Sequence, residues 1–307
     1  MATVTSWIKA ARPRTLPLAF SGVLMGNGLA LFYEALQVSV AVLAIVTATL
    51  IQIFSNFAND YGDSLRHTDN QHRLGPTRTV QSGEVAQREI ELGMVVVGGL
   101  SFFFGIWLVH AAVWDSSKIA FAGFMVLGVL SLAAAYCYTA GKRAYGYIGL
   151  GDLFVLVFFG PVPVMGTFFL NSGFLPLEIF LPAISIGFFS SGVLNLNNMR
   201  DMENDRNSGK YTLPVRMGLG KSRVYHCLLI IGGWIMTCFF TAIHLQSYWQ
   251  WLFAATLPLF LMDLIRVHLI NSASDLDPFL KRLAISTLAF TLLFCVGLLA
   301  SHTVTSA

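Results

Sequence analysis

Two stretches of this 307-residue chain carry carboxylates at helical spacing: NFANDYGDSLRHTDN from position 56 and NLNNMRDMENDRNSGK from position 195. A helix advances about 100° per residue, so Asn56, Asp60 and Asp63 fall within about 60° of one another. Asn198, Asp201 and Asp205 do the same, with Asn195 at the edge. Two facing groups of carboxylates repel each other in a half-dry site, so something positive must lie between them. Mg²⁺ meets that need: it is hard, octahedral, and usually held by one or two carboxylates plus substrate phosphate oxygens. The spacing therefore nominates Asp60, Asp63, Asp201 and Asp205 as metal ligands and as the groups that drive the chemistry. Asn56 and Asn198 stand beside them toward a diphosphate. The plainer reading, acids that merely solvate helix ends, accounts for one such cluster more readily than for two of matched composition.

Bases follow each cluster. Arg73 and Arg78 flank a Gly75-Pro76 turn, Lys142 and Arg143 lie in YTAGKRAYGYIGLGD, and Arg200 and Lys210 accompany the second cluster. Guanidinium forks suit phosphate oxygens, so Arg73, Arg78, Lys142, Arg200 and Lys210 are candidate diphosphate ligands. Each is also an ordinary place for a basic anchor at a membrane surface. Lys9, Arg12, Lys281 and Arg282 are read as such anchors.

The elements that must position these groups are membrane helices. Hydrophobic residues make up 55% of the chain, charged ones only 11%, and mean hydropathy is +0.67. A soluble domain has about 25% charged residues, so the apolar excess has to face lipid. A membrane-spanning helix takes about 20 mostly apolar residues. Windows of that kind lie near 16–33, 39–58, 91–110, 119–139, 150–170, 176–196, 224–243, 249–266 and 283–301. The expected fold is an all-α integral membrane bundle of nine transmembrane helices, in one domain over 1–307. The second and sixth spans run the same way, which suggests a parallel duplication of helices 1–4 and 5–8 with helix 9 added.

With the N-terminus in the cytoplasm, every Lys and Arg except Lys118 falls on that side, as positive residues prefer. Of the acids only Glu34, Asp115 and Glu178 fall on the other. The expected setting is multi-pass in the cell inner membrane, with both acidic clusters cytoplasmic and the C-terminus opposite. No cleaved signal peptide is expected, since no short apolar core with a small-residue cleavage site precedes the first span. Cys137, Cys227, Cys238 and Cys295 all lie in apolar stretches without a metal-binding spacing and read as fillers. No nucleic-acid partner is expected.

A polyprenyl diphosphate fits a phosphate substrate met at a membrane surface inside a helical bundle, because its tail enters lipid while its head needs metal and arginine. At these residues the sequence resembles the membrane-embedded aromatic prenyltransferases of the UbiA superfamily, and within it the branch acting on 1,4-dihydroxy-2-naphthoate in menaquinone biosynthesis. The resemblance runs from KAARPRTLPLAF through NDYGDSLRHTDNQHRLGPTR and YTAGKRAYGYIGLGDLFVLVFFG to LNNMRDMENDRNSGKYTLPVRMG. It implies nine helices around a central cavity with a lateral opening to lipid, and Mg²⁺ held on the diphosphate by the two motifs. His67 stands where the ubiquinone branch has a third acid, and Asp69 is the next acid here. The implied reaction is ionisation of the diphosphate followed by attack of the ring carbon bearing the carboxylate, with loss of CO₂, giving demethylmenaquinol. Tyr138, and rings such as Phe158 and Phe159, could stabilise the cation through their faces; in a chain with 25 Phe, most rings only pack. Asp152 either orients a neighbour or caps its helix. His67 and His72 read as loop residues.

A cation-coupled transporter would place its ionisable residues near the bilayer midplane on broken helices, whereas these acids gather at helix ends. A membrane scaffold would explain the bundle but not two matched carboxylate faces. Within the enzyme class, another acceptor ring such as 4-hydroxybenzoate is the alternative.

Overall fold

The computed structural model describes residues 2–66, 68, 74–141 and 144–305, and it is all helical. Among these residues nine segments are long and apolar enough to cross a membrane. The first is composite: α1 (Val4–Ala11), a short 3-10 turn, and α2 (Leu16–Phe32). Pro13 disfavours the α region for the residue before it. Arg12 accordingly takes a left-handed conformation, φ 49° and ψ 68°, which ends α1 and turns the chain into the bundle.

The second span is α3 (Val38–Leu65), longer than the 39–58 window because the whole first acidic motif continues the helix. The next two are α4 (Gln87–Val113) and α5 (Lys118–Cys137). The fifth, read from sequence as one helix, is two: α6 (Gly151–Phe159) and α7 (Pro161–Ser172). Pro161 cannot donate a backbone hydrogen bond and fits the first position of a new helix.

The sixth span contains α8 (Phe180–Arg200), which breaks at Asp201 into the short α9 (Met202–Asn207) and then α10 (Leu213–Met217). The remaining spans hold α11 (Leu219–Ile243), a 3-10 stretch leading into α12 (Leu257–Leu269), and α13 (Asp277–Thr305).

Lipid tails are as apolar as leucine, so close packing rather than water exclusion holds such helices together. Small residues allow it: a Cβ on Gly26 of α2 would stand 2.5 Å from the Val164 carbonyl of α7. Aromatic rings fill the half built from α2, α8, α11, α12 and α13, with Phe189 against Phe260 at 4.9 Å and Trp234 against Phe290 at 5.1 Å. The half built from α3 to α7 is looser. None of α5 is fully buried, since one side faces outward and the other lines a cavity.

Candidate active site

That cavity, of about 380 Å³, reaches from the ends of α3 and α8 down between α3, α4, α5 and α7. Its polar end gathers Asn56, Asn59 and Asp63 from α3 with Asn197, Asp201 and Asp205 from α8 and α9. The two acidic clusters therefore face one space. Arg12, Arg14, Arg78, Lys210 and Lys281 also reach it, and the remaining walls are mostly apolar.

The membership differs from the sequence expectation in ways that helix phase explains. The cavity face of α3 runs through Ala48, Gln52, Asn59 and Asp63, and Asp60 lies about 100° from its centre. Asp60 is buried away from the cavity, paired with Arg12, with Arg78 at 3.7 Å, and accepting from the Thr79 hydroxyl at 3.2 Å. On α8 the cavity face runs through Ser190, Leu194 and Asn197, which leaves Asn198 one step round and buried off the cavity.

Arg200 does not line the cavity either. Its guanidinium is fully enclosed: Nε and Nη2 donate to the two oxygens of Asp201 at 2.9 and 2.6 Å, Nη2 donates to Asn197 Oδ1 at 2.9 Å, and Nη1 reaches Asp277. It orients Asp201 and Asn197 instead of reaching a ligand. Asn56 is a similar anchor although it touches the cavity; its amide donates to the Ala11 carbonyl at 2.9 Å and to Thr15 at 3.1 Å, fixing the N-terminal segment on α3.

Arg12 and Lys281, read as anchors, face the cavity, and so does Arg14. The signal was present for Arg12 and Arg14: ARPRTLP puts them around a proline that must end a helix. Arg73 and Lys142, together with Asp69, His67, His72 and Arg143, lie outside the described residues.

One residue missed by sequence reasoning ties the site together. Tyr147 donates to Asp63 Oδ1 at 2.8 Å, and since its one proton is used there, it accepts from Thr68 at 2.5 Å. Thr68 is linked in turn to the second cluster, its carbonyl accepting from Asn204 Nδ2 at 2.9 Å. Lys210 Nζ lies 3.6 Å from Asp205 Oδ1 and 5.7 Å from the Tyr147 ring centroid. Burial alone would lower the Lys210 pKa, but Asp205 and Asp63, with Tyr138 and Tyr147, outweigh it and the net direction is up, so the ammonium stays charged. Burial pushes the Tyr138 phenol up to about 12; Lys210 opposes this and Asp63, Asp152 and Asp205 add to it. Tyr138 is thus a neutral ring at the polar end. From it an aromatic wall runs inward: Tyr145 edge-on at 5.4 Å, Phe154 stacked on Tyr145 at 3.9 Å, and Phe158 at 6.0 Å from Phe154.

The donors that face each other are all oxygens, three carboxylates and the amides of Asn59 and Asn197. Among the described residues no three His, Cys, Asp or Glu side chains converge into a closed metal cage. Such a set suits a hard cation that completes its shell with phosphate oxygens.

The sequence pattern of the UbiA prenyltransferase family matches residues 16–288, which takes in both acidic clusters and all of the cavity lining except Arg12, Arg14 and Thr15. The chain belongs to the UbiA prenyltransferase family. This UbiA chain is 40% identical to a 1,4-dihydroxy-2-naphthoate octaprenyltransferase of Escherichia coli (strain K12), over 97% of this chain and 96% of the relative. It is also 40% identical to one of Haemophilus influenzae, over 95% of each. The UbiA fold is shared with a homologue from Aeropyrum pernix K1, at a TM-score of 0.62 and 17% identity over 100% of both chains. A homologue from Archaeoglobus fulgidus bound to GPP and Mg²⁺ gives 0.62 and 17% identity, over 94% of this chain and 99% of that one.

Proposed function

We propose that this chain transfers a polyprenyl group from polyprenyl diphosphate to 1,4-dihydroxy-2-naphthoate, releasing diphosphate and CO₂ and giving demethylmenaquinol. The observation that carries this reading is the single cavity whose polar end joins both acidic clusters and whose other limb is apolar. The naphthoate acceptor rests on the relatives that are 40% identical across nearly the whole chain and bear that name.

Mg²⁺, when bound, would neutralise charge developing on the departing diphosphate. Asp63, Asp201 and Asp205, with Asn59 and Asn197, are the residues that would hold it. The chain's own groups do the rest. Lys210, Arg78 and Arg12 stand at the polar end as fixed positive charge for the diphosphate oxygens. Tyr138 and the aromatic wall give the developing allylic cation ring faces and no nucleophile. The apolar walls keep water from reaching it before the acceptor carbon does.

In this reading the polar end faces the cytoplasm of a cell whose inner membrane holds the bundle, the C-terminus lies opposite, and 1–307 is one domain with related halves. The basic residues gathered at the polar end support that orientation. Purified protein in detergent given a polyprenyl diphosphate, Mg²⁺ and the naphthoate is expected to form a decarboxylated prenylated product, and 4-hydroxybenzoate is not expected to replace it. Turnover that survives EDTA would reject the metal.

A further inference from the structure

The helices that carry the two clusters pack against different neighbours. α3 lies chiefly on α4, α2 and α5, and α8 chiefly on α11, α6 and α13. Helix packing therefore does not by itself set the gap between the clusters, and the like charges of Asp63, Asp201 and Asp205 push it open. Lys210 opposes that push, but a point charge on a flexible stem fixes no distance. Something else must hold the two sides in register.

The tie is at Thr68, three positions past the end of α3. This residue is buried and uses every polar group it has: its N–H donates to the Asp63 carbonyl at 3.1 Å, its hydroxyl donates to Tyr147 at 2.5 Å, and its carbonyl accepts from Asn204 Nδ2 at 2.9 Å. The last two partners belong to the side of the second cluster. Asn204 is buried on α9, and the 3-10 turn Tyr145–Ile148 that carries Tyr147 is fastened to the segment after α9. There the Tyr211 N–H donates to the Tyr147 carbonyl at 2.9 Å, and Arg216 Nη2 donates to the Ile148 carbonyl at 3.0 Å. Arg66 also steadies the end of α3, but toward the Thr139 carbonyl at 3.2 Å beside α5 and not across the gap.

We propose that Asn204 is a positioning residue: it clamps Thr68, and through Thr68 the backbone of Asp63, so that the carboxylates of both clusters meet a divalent cation and its diphosphate at a preset gap. This rests on the prenyl-transfer reading above. Asn204 does not line the cavity, so it touches neither cation nor substrate. Its contribution is preorganisation: carboxylates already held in register lose less freedom when the ligand binds.

The test is equilibrium binding, on the full chain in detergent, of a radiolabelled geranyl diphosphate analogue with sulfur in the bridging position, which resists ionisation, titrated with Mg²⁺. Asn204→Leu is expected to raise the Mg²⁺ concentration for half-maximal binding about tenfold, the scale of one buried hydrogen bond. Asn207→Leu, exposed on the same short helix, leaves it unchanged. Asn204→Ser, too short to reach Thr68, replaces Asn204→Leu should that variant not fold. Because Asn204 and Tyr147 grip the same residue, the double variant with Tyr147→Phe should depart from the product of the two single effects by at least about threefold. A folded Asn204 variant with an unaltered midpoint, or effects that simply multiply, overturns the proposal and leaves the prenyl-transfer reading standing. Failure of the unmodified chain to bind the analogue at any Mg²⁺ concentration overturns that reading, and the clamp with it.

Discussion

The carboxylates of α3 and those of α8 and α9 meet in one cavity, but the protein holds them by different means. On the α3 side the cavity carboxylate, Asp63, receives a neutral donor, the Tyr147 hydroxyl, while the cations Arg12 and Arg78 are gathered on Asp60 behind it. On the α8 side the cations sit on the cavity carboxylates themselves: Arg200 forks Asp201, and Lys210 flanks Asp205. A neutral hydrogen bond fixes a carboxylate without cancelling its charge, whereas an ion pair does both. Among the described residues, Asp63 is therefore the cavity carboxylate without a direct ion pair, Lys210 lying nearer Asp205. The second cluster is the more rigid.

The sharpest way to break this contrast is to remove charge from the cavity carboxylates. Asp63→Asn and Asp201→Asn are each expected to lower kcat by about 10²- to 10³-fold, the range for loss of one preorganised electrostatic partner. Mg²⁺ titration of turnover separates them: Asp63→Asn should move the activating midpoint further than Asp205→Asn, because Lys210 already compensates Asp205. Equal shifts would remove the distinction.

Next in size is a stability effect confined to the second cluster. Arg200 is completely enclosed, and Arg200→Leu leaves Asp201, 4% exposed, without its fork. Breaking a buried pair from one side costs about 3 to 5 kcal/mol, so the thermal midpoint in detergent should fall by several degrees. A retained midpoint would mean that Asp201 does not need Arg200.

Smaller again is Asp60→Asn. Arg12 and Arg78 would lose their common anchor and present the diphosphate less well, so KM for the polyprenyl diphosphate should rise, on the order of tenfold. The Mg²⁺ midpoint should stay where it is. A shifted midpoint would return Asp60 to the metal site, where its spacing in the sequence had put it.

The case of Asp60 marks the limit of what the chain discloses before folding. Nine spans, the shared compartment of the two clusters and their type of chemistry follow from hydropathy, basic residues and period 3.6, because these are local properties. Which of two adjacent polar residues enters the cavity is not local. Asn59 or Asp60, and Asn197 or Asn198, differ by 100° of helix rotation, and that rotation is set by packing against α4 and α11. The break between α6 and α7 is marked in the sequence by Gly160-Pro161, but hydropathy continues through it and gives one window. Tyr147 carried no such mark; its role depends on a 3-10 turn that brings it to Thr68 and Asp63 across the fold.

Tyr147 also supplies the finest probe of the contrast. Replacing it by Phe keeps the ring, and with it the face that Arg66 covers at 4.6 Å and Lys210 approaches at 5.7 Å. Only the hydroxyl is lost, with its bonds to Asp63 and Thr68. A single hydrogen bond to a charged group is worth about 1.5 to 3 kcal/mol when buried, but Asp63 also faces the cavity, where water or a bound cation can replace the lost donor. Tyr147→Phe should therefore lower kcat/KM only about fivefold, most of it through a less well oriented Asp63. If it cost as much as Asp63→Asn, the hydroxyl would be part of the chemistry and not merely its support, and the two clusters would be more alike than their ion pairs suggest.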